Sequence, residues 1–120
     1  MRKDQLDKHL TRKIRPSFYT LHTYHFAEAH IANRGREQAM YISPMRDAID
    51  KGLAPTNHTD FVVAPLDQMF MMWSAVNRLS RAGEVIGPDQ RVTPLEALKI
   101  KDVKVMETIK EGKTIFQRRE

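Results

Sequence analysis

The sequence predicts an α/β fold, and three observations carry the prediction. Two short runs rich in aromatic and β-branched residues, 17–21 and 56–60, have the composition of strands. Segments of helical character flank both. The connection between the runs is long enough to hold helices, so the strands are expected to pair in parallel through a right-handed crossover.

Taken in order, residues 4–14 place Leu6, Leu10 and Ile14 four apart among charged neighbours, the pattern of a short amphipathic helix. Arg15-Pro16 closes it, because a residue before proline is pushed out of helical backbone space. After the strand at 17–21, residues 22–35 show no clear period and read as a loop with a helical turn around 27–31, and 36–41 reads as helix. Ser43 is placed as N-cap and Pro44 as first helical residue of a helix running through Ala48 and Ile49 to Gly52. The strand at 56–60 follows. Asp67 then caps the longest helix, 68–80, on which Met69, Met72, Trp73, Val76 and Leu79 form an apolar stripe read as core packing. Gly83 and Gly87-Pro88 interrupt the pattern, and Thr93-Pro94-Leu95-Glu96 is a capping box that opens a helix through Leu98. Residues 103–109 alternate apolar and polar, Glu111-Gly112 turns, and Lys113-Thr114-Ile115-Phe116 returns, which reads as a C-terminal β-hairpin. Such a hairpin needs a sheet or helix to pack against.

Length and composition bound the rest. A chain of 120 residues is one domain at most, short of the ~250 residues of a complete (β/α)8 barrel. The absence of cysteine excludes disulfides, thiolate metal sites and a cysteine nucleophile together. No apolar run approaches the ~18 residues of a membrane span, and Met-Arg-Lys-Asp-Gln at the start lacks the apolar core of a signal peptide. A cytoplasmic location without membrane contact is therefore expected. The net charge of +5 sits at the ends: six Lys/Arg against two Asp in 1–15, seven against four acids in 99–120, and seven against nine between them. Basic ends without interleaved aromatics or a recognition motif do not point to nucleic acid.

Candidate chemistry falls on Asp60. It closes the run Thr56-Asn57-His58-Thr59-Asp60, and active sites of parallel α/β architectures are built at the C-terminal ends of strands. The plain alternative is an aspartate capping the next turn. His58, two residues back, points to the same side of the strand, and His22 ends the neighbouring strand, so both are candidates for substrate contact. His22, His25, His30, His58 and Asp60 also suggest a self-contained metal site, since three protein ligands suffice for a catalytic ion.

The ordered series Ser17-Phe18-Tyr19-Thr20-Leu21-His22-Thr23-Tyr24, Tyr41-Ile42-Ser43-Pro44-Met45-Arg46, Thr56-Asn57-His58-Thr59-Asp60, Trp73-Ser74-Ala75-Val76-Asn77-Arg78 and Gly87-Pro88-Asp89-Gln90-Arg91-Val92 resembles the C-terminal part of the amidohydrolase family 3 enzymes. These are metal-dependent hydrolases that include N-substituted formamide deformylases. The resemblance runs from about residue 4 to 98, and residues 100–113 resemble the end of the same family. It implies a partial (β/α)8 barrel: residues 1–98 as its closing quarter, the last two parallel strands with their covering helices, and 99–120 as a remnant of the accessory β-sandwich. It further implies a divalent ion, usually zinc, with Asp60 matching the aspartate that ends the eighth strand as metal ligand and general base. The substrate implied is a small molecule with an amide-type, non-peptide carbon–nitrogen bond, with His22 and His58 at the substrate.

The same resemblance places the start of this chain after the family's last histidine ligand and finds a further stretch missing between Leu98 and Ile100. The expectation is therefore a fragment with an internal deletion, or a decayed gene, without hydrolase activity of its own. A different class of function goes with it. Open sheet edges and uncovered apolar faces would suit an interaction or split-enzyme subunit, stable through self-association or on a complementary chain.

Overall fold

The computed structural model describes residues 1–99, 107–110 and 113–117. At its centre β1 (Ser17–Phe18) pairs in parallel with β2 (Thr56–Asn57), Ser17 opposite Thr56 and Phe18 opposite Asn57. The ladder continues at both ends, with Thr56 N donating to Pro16 O and His58 N to Phe18 O, each at 2.9 Å. Before β1 comes α1 (Lys3–Thr11). Between the strands lie α2 (His22–His25), α3 (Ala27–Arg34), α4 (Arg36–Met40) and α5 (Met45–Asp50). After β2 come α6 (Gln68–Asn77), a 3-10 turn (Pro88–Gln90) and α7 (Pro94–Lys99). A second sheet pairs β3 (Glu107–Lys110) with β4 (Lys113–Gln117) antiparallel, with an irregularity between Thr108 and Ile109. Residues 103–106 of the expected hairpin lie outside the described residues.

Successive strand residues face opposite sides of a sheet, and the two sides of β1 do different things. Phe18 enters the main core with Leu6, Met45, Ala48, Leu53, Ala75, Val92 and Ala97. Tyr19, just past the strand, packs on the other side with Leu21 and Ala64. Helices thus cover one face of the strand pair, and the other face carries the polar groups described below.

Several elements differ from the reading of the sequence, each for a local reason. On α1 only Leu6 is buried; the helix stops at Thr11 and the chain turns at Lys13 (φ 55°), which leaves Leu10 and Ile14 nearly half exposed. The strands are two residues long because the chain begins to wind at once after Tyr19. His22 N reaches Tyr19 O, Thr23 N reaches Thr20 O and Tyr24 N reaches Leu21 O, so residues expected as a loop are helical as α2 and α3. Ser43 does not cap α5. Its backbone is left-handed (φ 47°) and its hydroxyl donates to Tyr19 O at 3.0 Å, tying the start of α5 to the end of β1.

The long helix α6 begins as expected, Asp67 accepting from Phe70 N at 2.9 Å, and Met72 and Val76 of the expected stripe pack against the main core, but its fully buried face is rotated from the expected one. Met71, Ser74 and Ala75 are buried, whereas Met69 is 73% exposed and Trp73 37%. The polar turn after β1 lies against this face, and Thr20 Oγ1 donates to Met71 O. Ser74 Oγ donates to Thr20 O (2.9 Å) and shares a hydrogen bond with Thr23 Oγ1 (3.2 Å), while Asn57 grips both the main chain and the hydroxyl of Thr20. A hydrogen-bonded seam and the apolar contacts of Met72, Ala75 and Val76 with the main core together seat the helix.

Arg78 ends α6 in left-handed backbone (φ 53°) and is fully buried. Its guanidinium donates to the carbonyls of Ile86 (2.6 Å), Ser43 (3.0 Å) and Ile42, so one side chain holds three segments together. Burial and the nearby Arg91 push its pKa down to about 10, which leaves it charged at neutral pH. The capping box of α7 forms, with Thr93 N and Oγ1 both donating to Glu96 Oε2 and Glu96 N donating to Thr93 Oγ1. Among the described residues no helix is long and apolar enough to cross a membrane.

Candidate functional site

A cleft of about 1060 Å³ opens beside the strand pair, lined by Ser17, Phe18 and Tyr19 and by residues that follow β2. His22, His58 and Asp60, the three residues singled out in the sequence, all line it, together with Tyr19, His30 and Arg34. Their convergence follows from topology. β1 and β2 run in parallel, so their C-terminal ends lie side by side: His22 enters from the turn after β1, and His58 and Asp60 follow β2.

Asp60 lies three residues past the end of β2, in left-handed backbone (φ 53°) that aspartate tolerates better than most residues. The turn that follows is closed by its main chain, Val63 N donating to Asp60 O at 2.7 Å. Its carboxylate, by contrast, takes no hydrogen bond from the described residues and stays exposed at the cleft. The turn-capping alternative therefore does not account for this side chain.

Tyr19 is the hub of the aromatic groups. It stacks on His58 at 5.7 Å between ring centroids and meets His22 edge-on at 4.4 Å, and His22 meets His30 edge-on at 5.3 Å. Burial, then the neighbouring His30, hold the His22 pKa below its usual value, against a smaller upward pull from Asp60. Burial and Arg34 lower that of His30 in the same sense. Both rings are therefore held neutral near physiological pH, fit to donate or accept a hydrogen bond. Burial, reinforced by the Asp60 charge, pushes the Tyr19 phenol up.

A second polar group borders the same cleft. Tyr41 donates to Asp47 Oδ2 at 2.6 Å, Gln90 Nε2 donates to Asp47 Oδ1 at 2.7 Å, and Asp47 N returns a bond to Gln90 Oε1 at 3.1 Å. Burial and the bond to Asp47 raise the Tyr41 pKa. Burial alone would raise that of Asp47, but the bonds from Gln90 and Tyr41 outweigh it and keep the carboxylate ionised. These saturated groups form a fixed wall.

The five-group metal set suggested by the sequence is not assembled. His25 lies away from the cleft, its ring against Tyr24 and Phe70. Among the described residues no three of His, Asp and Glu are grouped so as to hold a metal ion. Sequence reasoning also passed over Tyr19, Arg34 and the Tyr41–Asp47–Gln90 group. Strand alternation from the core residue Phe18 could have found Tyr19; nothing local in the sequence links Asp47 to Gln90. Comparison with known proteins gives no match to a protein-family model, a curated protein or a solved structure.

Proposed function

We propose that this chain is the closing part of a metal-dependent hydrolase barrel that acts on non-peptide carbon–nitrogen bonds such as amides, and that it is inactive alone. The observation that supports this reading is the convergence of His22, His58 and an uncommitted Asp60 carboxylate at the C-terminal ends of two adjacent parallel strands. Asp60 supplies one metal ligand and accepts the proton of the attacking water, then returns it to the leaving amine. His22 and His58 contact the substrate. The described residues alone do not make a metal site, so the ion, zinc or another divalent metal, belongs to the completed barrel. When bound there it would lower the pKa of its water towards ~7.

The test is a chimera in which residues 1–98 replace the corresponding segment of a carbon–nitrogen hydrolase barrel. Retained metal-dependent amide hydrolysis, abolished by Asp60→Asn, is the expected result. A chimera that folds and loads metal yet shows no turnover overturns the reading. The purified chain alone is expected to show no turnover, and metal-dependent hydrolysis by it would remove the claim of inactivity.

A second reading, a non-catalytic interaction or split-enzyme subunit, draws on a separate observation. Phe61, Val62, Val63, Leu66 and Met69 are all more than half exposed on one short stretch that follows β2, a strand of a two-stranded sheet. Contiguous apolar surface with an unpaired strand edge favours a second copy or a complementary chain. A neighbouring reading frame that encodes the first six barrel strands would favour the split enzyme.

A further inference from the structure

Tyr19 carries an anomaly that the fold does not explain. The residue is 5% exposed, and its hydroxyl is fully buried without any hydrogen-bond partner. Leaving a buried donor unsatisfied costs stability, and a phenylalanine would pack the same volume without that cost. Every other feature of the residue is fixed. Its carbonyl is held by Ser43 Oγ and by His22 N, and its ring is clasped between His22 and His58 on the wall of the cleft. A polar group kept unpaired in a rigid setting, beside the groups proposed for substrate contact, is what a preorganised donor looks like before its acceptor arrives.

We infer that the Tyr19 hydroxyl is a substrate-contacting hydrogen-bond donor of this cleft, met by the carbonyl oxygen of an amide-type ligand once the side chains that cover the hydroxyl move aside. The inference rests on the reading of the cleft as an amide-binding site. The donor assignment is chemically consistent: burial and the Asp60 charge both disfavour the phenolate, so the proton is present at neutral pH. Asp60 is an acceptor only, and Arg34 is the nearest strong cation to the histidine pair. A neutral donor in the same cleft suits a neutral carbonyl, and its hydrogen bond strengthens as negative charge develops on that oxygen.

The experiment is a titration of the full chain with N-methylacetamide, read by NMR on labelled tyrosine and histidine rings. The chain has three tyrosines, so Tyr24 and Tyr41 serve as internal references. Saturable shifts of the Tyr19, His22 and His58 signals are expected. Tyr19→Phe should bind the probe about three- to tenfold more weakly, the loss of one net hydrogen bond, while melting at the same or a higher temperature. Tyr24→Phe should bind as the unaltered chain does. If Tyr19→Phe binds equally well while His22 and His58 still shift, the Tyr19 donor is wrong and the amide cleft stands. A Tyr19→Phe that melts lower or fails to fold makes the hydroxyl structural and also overturns the inference. No shift of the cleft signals in the unaltered chain overturns both the inference and the amide reading.

Discussion

Arg46 and Glu96 form a two-pronged ion pair, Nη1 to Oε2 at 3.0 Å and Nη2 to Oε1 at 2.7 Å, that fastens α7 to α5. Both side chains are less than one-third exposed, and Glu96 also closes the capping box of its own helix. The Arg46 bonds, followed by those from Thr93, hold the Glu96 pKa down at about 2. A carboxylate with a depressed pKa binds fewer protons folded than unfolded. Its contribution is therefore complete above the unfolded value near 4.5 and is lost as pH falls from there towards 2. Glu96→Gln should cost about 1–2 kcal/mol at neutral pH. Thermal melts of the two proteins should differ at pH 7 and converge as the pH is lowered through that window.

The close approach of Gly87 to Met40 makes a harsher prediction. A Cβ at Gly87 would lie 1.9 Å from Met40 O, with the Arg78 guanidinium also near, and the backbone there is left-handed (φ 61°). Backbone cannot yield as a flexible side chain can. Gly87→Ala should cost about 3 kcal/mol or more. Gly83, also at positive φ but with nothing near its Cβ position, should accept alanine at a smaller backbone penalty. Denaturant unfolding of the two variants side by side checks the contrast.

These cases also show how far the sequence could be read. Signals confined to one turn were legible: Asp67 before α6 and Thr93 with Glu96 before α7 are set by neighbours three residues apart. The convergence of His22, His58 and Asp60 was legible in part, because all three follow closely on two adjacent parallel strands; the short strands, the helix that begins at His22 and the left-handed turn at Asp60 were not. What escaped was set by long-range polar contacts. The rotation of α6 that buries Ser74 while Met69 and Trp73 stay exposed goes with hydrogen bonds to Thr20 and Thr23, about fifty residues away. Arg78 gave no sign that it would be buried, since arginine is among the residues least often inside; its three carbonyl partners come from segments that meet only in the fold.

The histidines give the chain an acid limb in addition to that of Glu96. Burial lowers the pKa of His22, His25 and His30 below the ordinary histidine value of 6.5. An imidazole held neutral in the fold binds fewer protons than the same group unfolded. Stability is therefore unaffected above about 6.5, declines as pH falls below it, and levels off below the folded pKa values. His22, which faces His30, Asp60, His58 and Arg34, should account for part of that slope. His22→Asn is expected to flatten the melting profile between about pH 6.5 and 5 relative to the unaltered chain. An unchanged slope would mean that the ring is solvated enough to titrate normally.

The exposed stretch after Asp60 leads to the last prediction. Phe61 (64% exposed), Val62 (81%), Val63 (59%), Leu66 (65%) and Met69 (73%) lie within one short stretch in which Asp67 and Gln68 are the polar residues. Five large apolar side chains exposed in one stretch are the kind of surface that marks an interaction site when gathered into a patch. The strand pair that this stretch follows has only two members, so main-chain donors and acceptors along its edges are unpaired within that sheet. Both features drive association, and the net charge of +5 opposes it too weakly to prevent short-range apolar contact at physiological salt. Light scattering on a chromatography peak should show a mass that rises with protein concentration. Replacing Val62 and Met69 together with serine should shift the peak towards the monomer. Little change in melting temperature should accompany that shift at concentrations where the chain is already monomeric, because neither side chain is buried within one copy. A monomer at all concentrations, with the double variant indistinguishable from it, would remove the physical motive for reading this face as an interface.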